Sequence, residues 1–221
     1  ADILPNQQAI IQNNGNVSLD YSLGINLESQ NEPMDNSGLC VDSLYTYGCT
    51  GTFGSGMTYW SFDGVEVDIE CSETSGWYHN FTDRVHHLIP GQVITLTVNS
   101  MSIINPSGDL YLDIWIDFND DLQLTDDELI FDDGVLSQTN VNVSFDVTIP
   151  NTALPGYHLM RCRSSKWYPL TDACENFEYG NCCDFVAFVD MWFGTSVTTG
   201  TIAPGDSEDI TAYYYADQDQ A

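Results

Sequence analysis

Residues 141–149 read VNVSFDVTI. Val141, Val143, Phe145, Val147 and Ile149 fall on one side of the alternation, and Asn142, Ser144, Asp146 and Thr148 on the other. A repeat of two is the period of a strand that lays one face on a core and the other in water. The same test puts Val17, Leu19, Tyr21, Leu23 and Ile25 on one face of residues 17–25. It puts Ile94, Leu96 and Val98 on one face of residues 92–98, and Leu110, Leu112, Ile114 and Ile116 on one face of residues 109–116. No helical stripe of comparable length occurs. Asn14-Gly15 is a hairpin signal, and Pro90-Gly91, Pro106-Ser107-Gly108, Pro155-Gly156 and Pro204-Gly205 separate the later strands. Many short alternating strands predict an all-β fold, an antiparallel β-sandwich of jelly-roll or Ig-like type.

The bulk composition agrees with a packed protein: 221 residues, 43% hydrophobic and 12% aromatic. Against 33 acidic residues stand Arg84, Arg161, Arg163 and Lys166, for a formal charge of -29. So negative a surface repels phosphate backbones and anionic headgroups, which excludes nucleic acid and membrane surfaces as partners and favours cations. No run of about 18 apolar residues exists, since Asp184 and Asp190 interrupt the most apolar late stretch. The N-terminus lacks a basic region followed by an apolar one, so a secreted chain would stand here in mature form.

Seven cysteines, Cys40, Cys49, Cys71, Cys162, Cys174, Cys182 and Cys183, occur without a CxxC pair or an HxxxH pattern. Disulfides in an oxidising compartment are the expected use, and with them export. The connectivity is open, although short separations favour Cys40 with Cys49, and Cys174 with Cys182 or Cys183. One thiol is left over and is available to link chains.

Residues 117–128, DFNDDLQLTDDE, place oxygen-bearing side chains at positions 1, 3, 5, 7, 9 and 12 of a twelve-residue loop: Asp117, Asn119, Asp121, Gln123, Thr125 and Glu128. Calcium takes six to eight oxygens, and the EF-hand type of loop supplies them at this spacing, with a carbonyl at seven and a bidentate glutamate at twelve. Flanking helices are missing and Leu122 holds the sixth position, where that loop has glycine. The expected cofactor is therefore Ca2+ in an analogous loop hung between strands, with Asp117 leaving its strand on the face opposite Leu112, Ile114 and Ile116. Magnesium prefers fewer carboxylates and more water. Asp126, Asp127, Asp132 and Asp133 are expected to surround the site or simply to be solvated.

The order GCTGTFGSG (48–56), IPGQVITLTV (89–98), LYLDIWIDFNDD (110–121), FDVTIPNTALPGYHLMRCR (145–163) and FEYGNCCDF (177–185) resembles the GEVED domain. That is a β-sandwich module of secreted and cell-surface proteins common in Bacteroidetes-type bacteria. The resemblance covers about residues 39–189. Where the family's naming motif reads Gly-Glu-Val-Glu-Asp-Tyr, this chain has Gly180, Asn181, Cys182, Cys183, Asp184 and Phe185. The flanks, AIIQNNGNVSLDYSLGI (9–25) and MWFGTSVTTGTIAPGDSEDITAYYY (191–215), are similar to the opening and closing parts of bacterial Ig-like repeats. The implied organisation is an N-terminal arm (1–38), the GEVED-like sandwich (39–189) and a C-terminal arm (190–221), the arms together forming one small Ig-like sheet system short of strands.

His79, His86, His87 and His158 show no ligand spacing and read as surface or satisfied core residues. Arg161 and Arg163 share a strand face and are expected to pair with carboxylates of the same molecule. Asn16, Asn80 and Asn142 head N-glycosylation tripeptides, and Asp42-Ser43-Leu44 resembles a bacterial O-glycosylation site at Ser43. Trp60, Trp77, Tyr78 and Trp167 are candidates for a sugar platform, with core packing the commoner use of such residues. No nucleophile elbow or catalytic grouping stands out. The expected function is a non-enzymatic, secreted, calcium-stabilised structural or adhesive protein. Its copies would assemble into fibres through edge strands as a homopolymer. The alternative is a carbohydrate-binding or spacer module.

Overall fold

The computed structural model describes residues 7–22, 34, 36–40, 44–49, 54–71, 77–102, 108–138, 140–190, 192–195 and 199–215. The chain divides into two compact units, Asn31–Asp190 and a second made of Ala1–Gln30 with Met191–Ala221. In the second unit, β1 (Gln7–Gln12), β16 (Ser207–Tyr215) and β14 (Trp192–Thr195) form a sheet in the order β1-β16-β14. There β2 (Leu19–Ser22) and β15 (Thr199–Ile202) form another. Each sheet thus joins strands from both ends of the sequence.

Asn14-Gly15 does not make the expected hairpin, because β1 and β2 pair in different sheets. Asn13 decides this: its buried amide donates to the carbonyls of Val17 and Ile202, at 2.7 and 2.8 Å, and turns the chain from one sheet to the other. Val17 and Leu19, assigned to a core face by their alternation, are exposed. Leu23 and Ile25 lie outside the described residues.

Unit Asn31–Asp190 is the predicted sandwich. One sheet runs β10-β7-β4-β5, from β4 (Ser55–Phe62), β5 (Val65–Asp68), β7 (Val93–Ser102) and β10 (Val143–Thr148). The other runs β6-β13-β11-β8-β9, from β6 (Tyr78–Leu88), β8 (Leu110–Ile116), β9 (Leu129–Leu136), β11 (Gly156–Lys166) and β13 (Cys182–Val189). Ile94, Leu96, Val98, Trp60 and Phe62 from the first meet Leu110, Leu112, Ile114, Ile116, Met160 and Phe185 from the second in one core. The alternation predicted this for β7, β8 and β10. Two pairings depart from antiparallel: β6 with β13, and β12 (Phe177–Tyr179) with β3 (Tyr45–Gly48). In each case a long stretch of chain separates the partners, as a parallel pair requires.

The outer face of the five-stranded sheet is buried as well. Residues 36–40, 44–49 and 167–181 fold over it, bringing Leu44 and Tyr45 onto Cys182, and Leu170 and Ala173 onto Trp115. A disulfide between Cys40 and Cys174 ties the two covering segments together, and Cys49–Cys71 closes a second bridge. The local bridges expected from short separations, Cys40 with Cys49 and Cys174 with Cys182 or Cys183, do not form. Cys182 and Cys183 are fixed in a central strand with opposite faces, whereas Cys174 lies in the covering segment where Cys40 arrives. Cys162, Cys182 and Cys183 are buried free thiols. Trp60, a candidate for a sugar platform, is core.

Among the core aromatics sits His86, fully buried against Trp60, Phe62 and Phe185. Its Nδ1 lies 3.0 Å from the Phe62 carbonyl, and burial lowers its pKa from 6.5 to about 4. A base depressed in the folded state stabilises fully above its unfolded pKa and loses that contribution as pH falls from 6.5 towards 4. The gap corresponds to about 3 kcal/mol. Between about pH 7 and about pH 4, the wild-type protein is therefore expected to lose about 3 kcal/mol more stability than a His86→Phe variant, read from denaturant unfolding at each pH. Parallel pH profiles would show that His86 is not the cause.

Candidate metal centre

The acidic loop leaves β8 at Asp117 and returns through a short 3-10 turn, Asp126–Glu128, into β9. Main-chain N–H groups at its start donate to side-chain oxygens of the loop itself. Asp117 Oδ1 accepts from Asp121 N at 3.1 Å and Oδ2 from Leu122 N at 2.9 Å, while Asn119 Oδ1 also accepts from Asp121 N at 2.9 Å. Asp121 Oδ1 accepts from Gln123 N at 2.8 Å. These bonds curl the chain tightly between Asp117 and Gln123, with Asp117 buried and Asn119 and Asp121 exposed.

The curl needs left-handed backbone at two residues, Asp120 (φ 57°) and Leu122 (φ 61°). Leu122 therefore takes the conformation that glycine takes in calcium loops of this spacing. Its side chain has its own use, packing over Gly38, where a β-carbon would collide with it. The departure at position six is thus a leucine held at a glycine's angles.

At the far end, Glu128 is 4% exposed. Its Oε2 accepts from Thr125 N at 2.9 Å and from Thr125 Oγ1 at 3.2 Å, a capping box that fixes the carboxylate at the loop's closing turn. Oε1 is buried with no hydrogen-bond partner. A buried carboxylate oxygen without donor or cation is costly. Asp117 is 1% exposed, and burial, with the charges of Asp120 and Asp121, pushes its carboxyl above the ordinary range against the two main-chain donors.

Of the six predicted ligands, Asp117 and Glu128 are buried, while Asn119, Asp121, Gln123 and Thr125 are exposed. Gln123 would use its carbonyl. Thr125 is spent on the cap. Asp126 and Asp127 are exposed, and Asp120 is turned away to His158 Nδ1 at 3.0 Å. No group of three or more His, Cys, Asp or Glu residues is drawn together in ligand geometry among the described residues. The loop nevertheless offers oxygen-bearing side chains, two of them buried carboxylates, and oxygen is the donor type that calcium takes.

Beside the loop opens a cavity of about 720 Å³ walled by Gln123–Asp127, Trp115, Thr171, Asp172 and the Cys40–Cys174 bridge. The basic residues lie elsewhere. Arg161 is fully buried and forks onto Asp184, its cross-strand partner. Arg163, expected to meet a carboxylate, instead donates to the Asp172 and Glu175 carbonyls at 3.1 and 2.8 Å and lies over the Tyr45 ring. Those carbonyls belong to the covering segment, whose presence the strand pattern did not reveal.

Asn16, Asn80 and Asn142 are exposed, Asn80 with its Oδ1 accepting from Thr82 Oγ1 at 2.9 Å. Ser43 lies outside the described residues. Trp77 and Tyr78 are half-buried, Trp167 is exposed.

The model of the GEVED domain matches residues 111–187. That span runs from β8 through β13 and includes the acidic loop, Arg161 and Asp184, and over it the sandwich is similar to GEVED domains, a match that suggests a small extracellular β-domain. The two disulfides are compatible with that setting, and no helix among the described residues is long and apolar enough to cross a membrane. No curated protein matches the chain.

Proposed function

We propose that this is a secreted, cell-surface, non-enzymatic protein with a structural or adhesive role, a calcium-stabilised sandwich whose copies assemble into fibres by strand complementation. The observation that carries the calcium part is Glu128 Oε1, buried and unpartnered over a loop whose other oxygens recur at calcium spacing. Asp117, Asn119, Asp121, the Gln123 carbonyl and Glu128 are its ligands. The ion's role is to neutralise a carboxylate cluster that no lysine or arginine contacts among the described residues, His158 meeting only Asp120. A ligand present at a hundred times its Kd stabilises by about 2.7 kcal/mol, which for a domain of this size raises Tm by about 5–10 °C. Calcium is expected to produce that rise and magnesium a smaller one. Glu128→Gln and Asp117→Asn are expected to abolish it, with circular dichroism melts in chelator as baseline. Melts identical with calcium and with chelator would remove the ion from this reading.

One observation favours the carbohydrate-binding alternative. Trp167, at φ 76°, is an exposed bulky residue in the left-handed region, set edge-on to Tyr179, which stacks on exposed Tyr47. Tyr168 beside it is 68% exposed. Strain of this kind is retained at functional sites. Retention of the monomer on polysaccharide columns would favour this reading over the structural one.

A further inference from the structure

An edge strand displays unpaired N–H and C=O groups, and proteins blunt such edges with charges, prolines, bulges or brevity. The edges of the sandwich are blunted. β5 carries Glu66 and Asp68, β10 carries Asp146, and β6 carries Asp83 and Arg84 beside a register shift. β9 carries Asp132 and Asp133 with two shifts. The three-stranded sheet of the terminal unit is different. β1, QQAIIQ, has no charge and no proline, and its register against β16 runs unbroken from Gln7 with Ala212 to Gln12 with Ser207. At the opposite edge β14, WFGT, is uncharged as well. In a chain with 33 acidic residues, both edges of one sheet are charge-free, and among the described residues neither has a further neighbour.

We propose that the outer edge of β1 in one copy pairs with the outer edge of β14 in the next, so that the three-stranded sheet continues from copy to copy. This rests on the self-assembly reading above and names its surface. Main-chain hydrogen bonds along the joined edges supply the attraction, as in strand addition generally. Because the two edges differ, the contact is heterologous and adds copies without closing. Uncharged edges are also where two copies of charge -29 approach with least repulsion, so assembly strengthens as salt screens the rest.

The test uses the full chain with calcium at about 0.15 M salt, followed by sedimentation and electron microscopy, with and without a synthetic peptide of residues 6–13. Filaments are expected. The peptide should shorten them by capping the β14 edge, and Gln8→Lys with Gln12→Lys should cut assembly at least tenfold while leaving the thermal melt in place. Filaments indifferent to both peptide and charges would overturn the assignment of these edges while leaving self-assembly standing. So would a closed dimer held by β1 alone. A strict monomer in every condition would remove self-assembly itself.

Discussion

Replacing Arg161 with methionine is expected to lower the unfolding free energy of the sandwich by about 3–5 kcal/mol. The guanidinium is fully buried, with Nε 2.7 Å from Asp184 Oδ1, Nη2 2.8 Å from Oδ2 and Nη1 2.7 Å from the Cys40 carbonyl. Asp184 is equally buried and also accepts from Tyr78 Oη at 2.9 Å and Asn36 Nδ2 at 3.0 Å. Removing the cation leaves a desolvated carboxylate whose remaining donors are neutral, and that is the expensive half of the change. The pair itself contributes little net stability, since desolvating two ions offsets most of their attraction. Arg161→Met combined with Asp184→Leu is accordingly expected to recover most of the loss. Denaturant unfolding of the two single variants and the double variant forms the cycle. A loss below about 1 kcal/mol for Arg161→Met would show that the fork is not a buried pair of this kind.

That fork also shows what the sequence could disclose. Arg161 lies in MRCR and Asp184 in the altered GEVED motif, and β11 sets them opposite one another in register. The sequence offered both residues without pairing them, Arg161 as expecting some carboxylate and Asp184 as a position in the motif, while alternation located the core faces of β7, β8 and β10. Alternation reports which residues share a face; it is silent on what covers that face. Trp115 and Asp113 fall on the non-core side of β8 as predicted, yet they are 3% and 1% exposed because the covering segments lie on them. The same cover turned Arg163 towards carbonyls and chose Cys174 as the partner of Cys40. The loop is the converse case. Its oxygen spacing is local and lies open in the sequence, whereas the left-handed angle of Leu122 and the capping use of Thr125 depend on how the loop folds. Glu128 Oε1, the atom that argues most for an ion, is legible as a residue type but not as a buried, unpartnered oxygen.

Removing the Cys40–Cys174 bridge is expected to cost at least as much as removing Arg161. It joins residues 134 apart, against 22 for Cys49–Cys71, and in the chain-entropy account loops of these lengths correspond to about 5 and about 3 kcal/mol. The larger effect has a local signature. Cys174 lies between Asp172 and Glu175, whose carbonyls receive Arg163, and beside Ala173, which packs on Trp115. Without the bridge, residues 167–181 lose their tie to residues 36–40, and the outer face of the sheet faces water through a looser cover. Cys40→Ala with Cys174→Ala is therefore expected to cost about 4–5 kcal/mol. Hydrogen exchange in residues 167–181 should rise before the strands of the core open. The premise is checked by counting thiols in denaturant: three before reduction and seven after. Seven before reduction would show that neither bridge exists. An unchanged melt in the double variant would show that packing alone holds the cover in place.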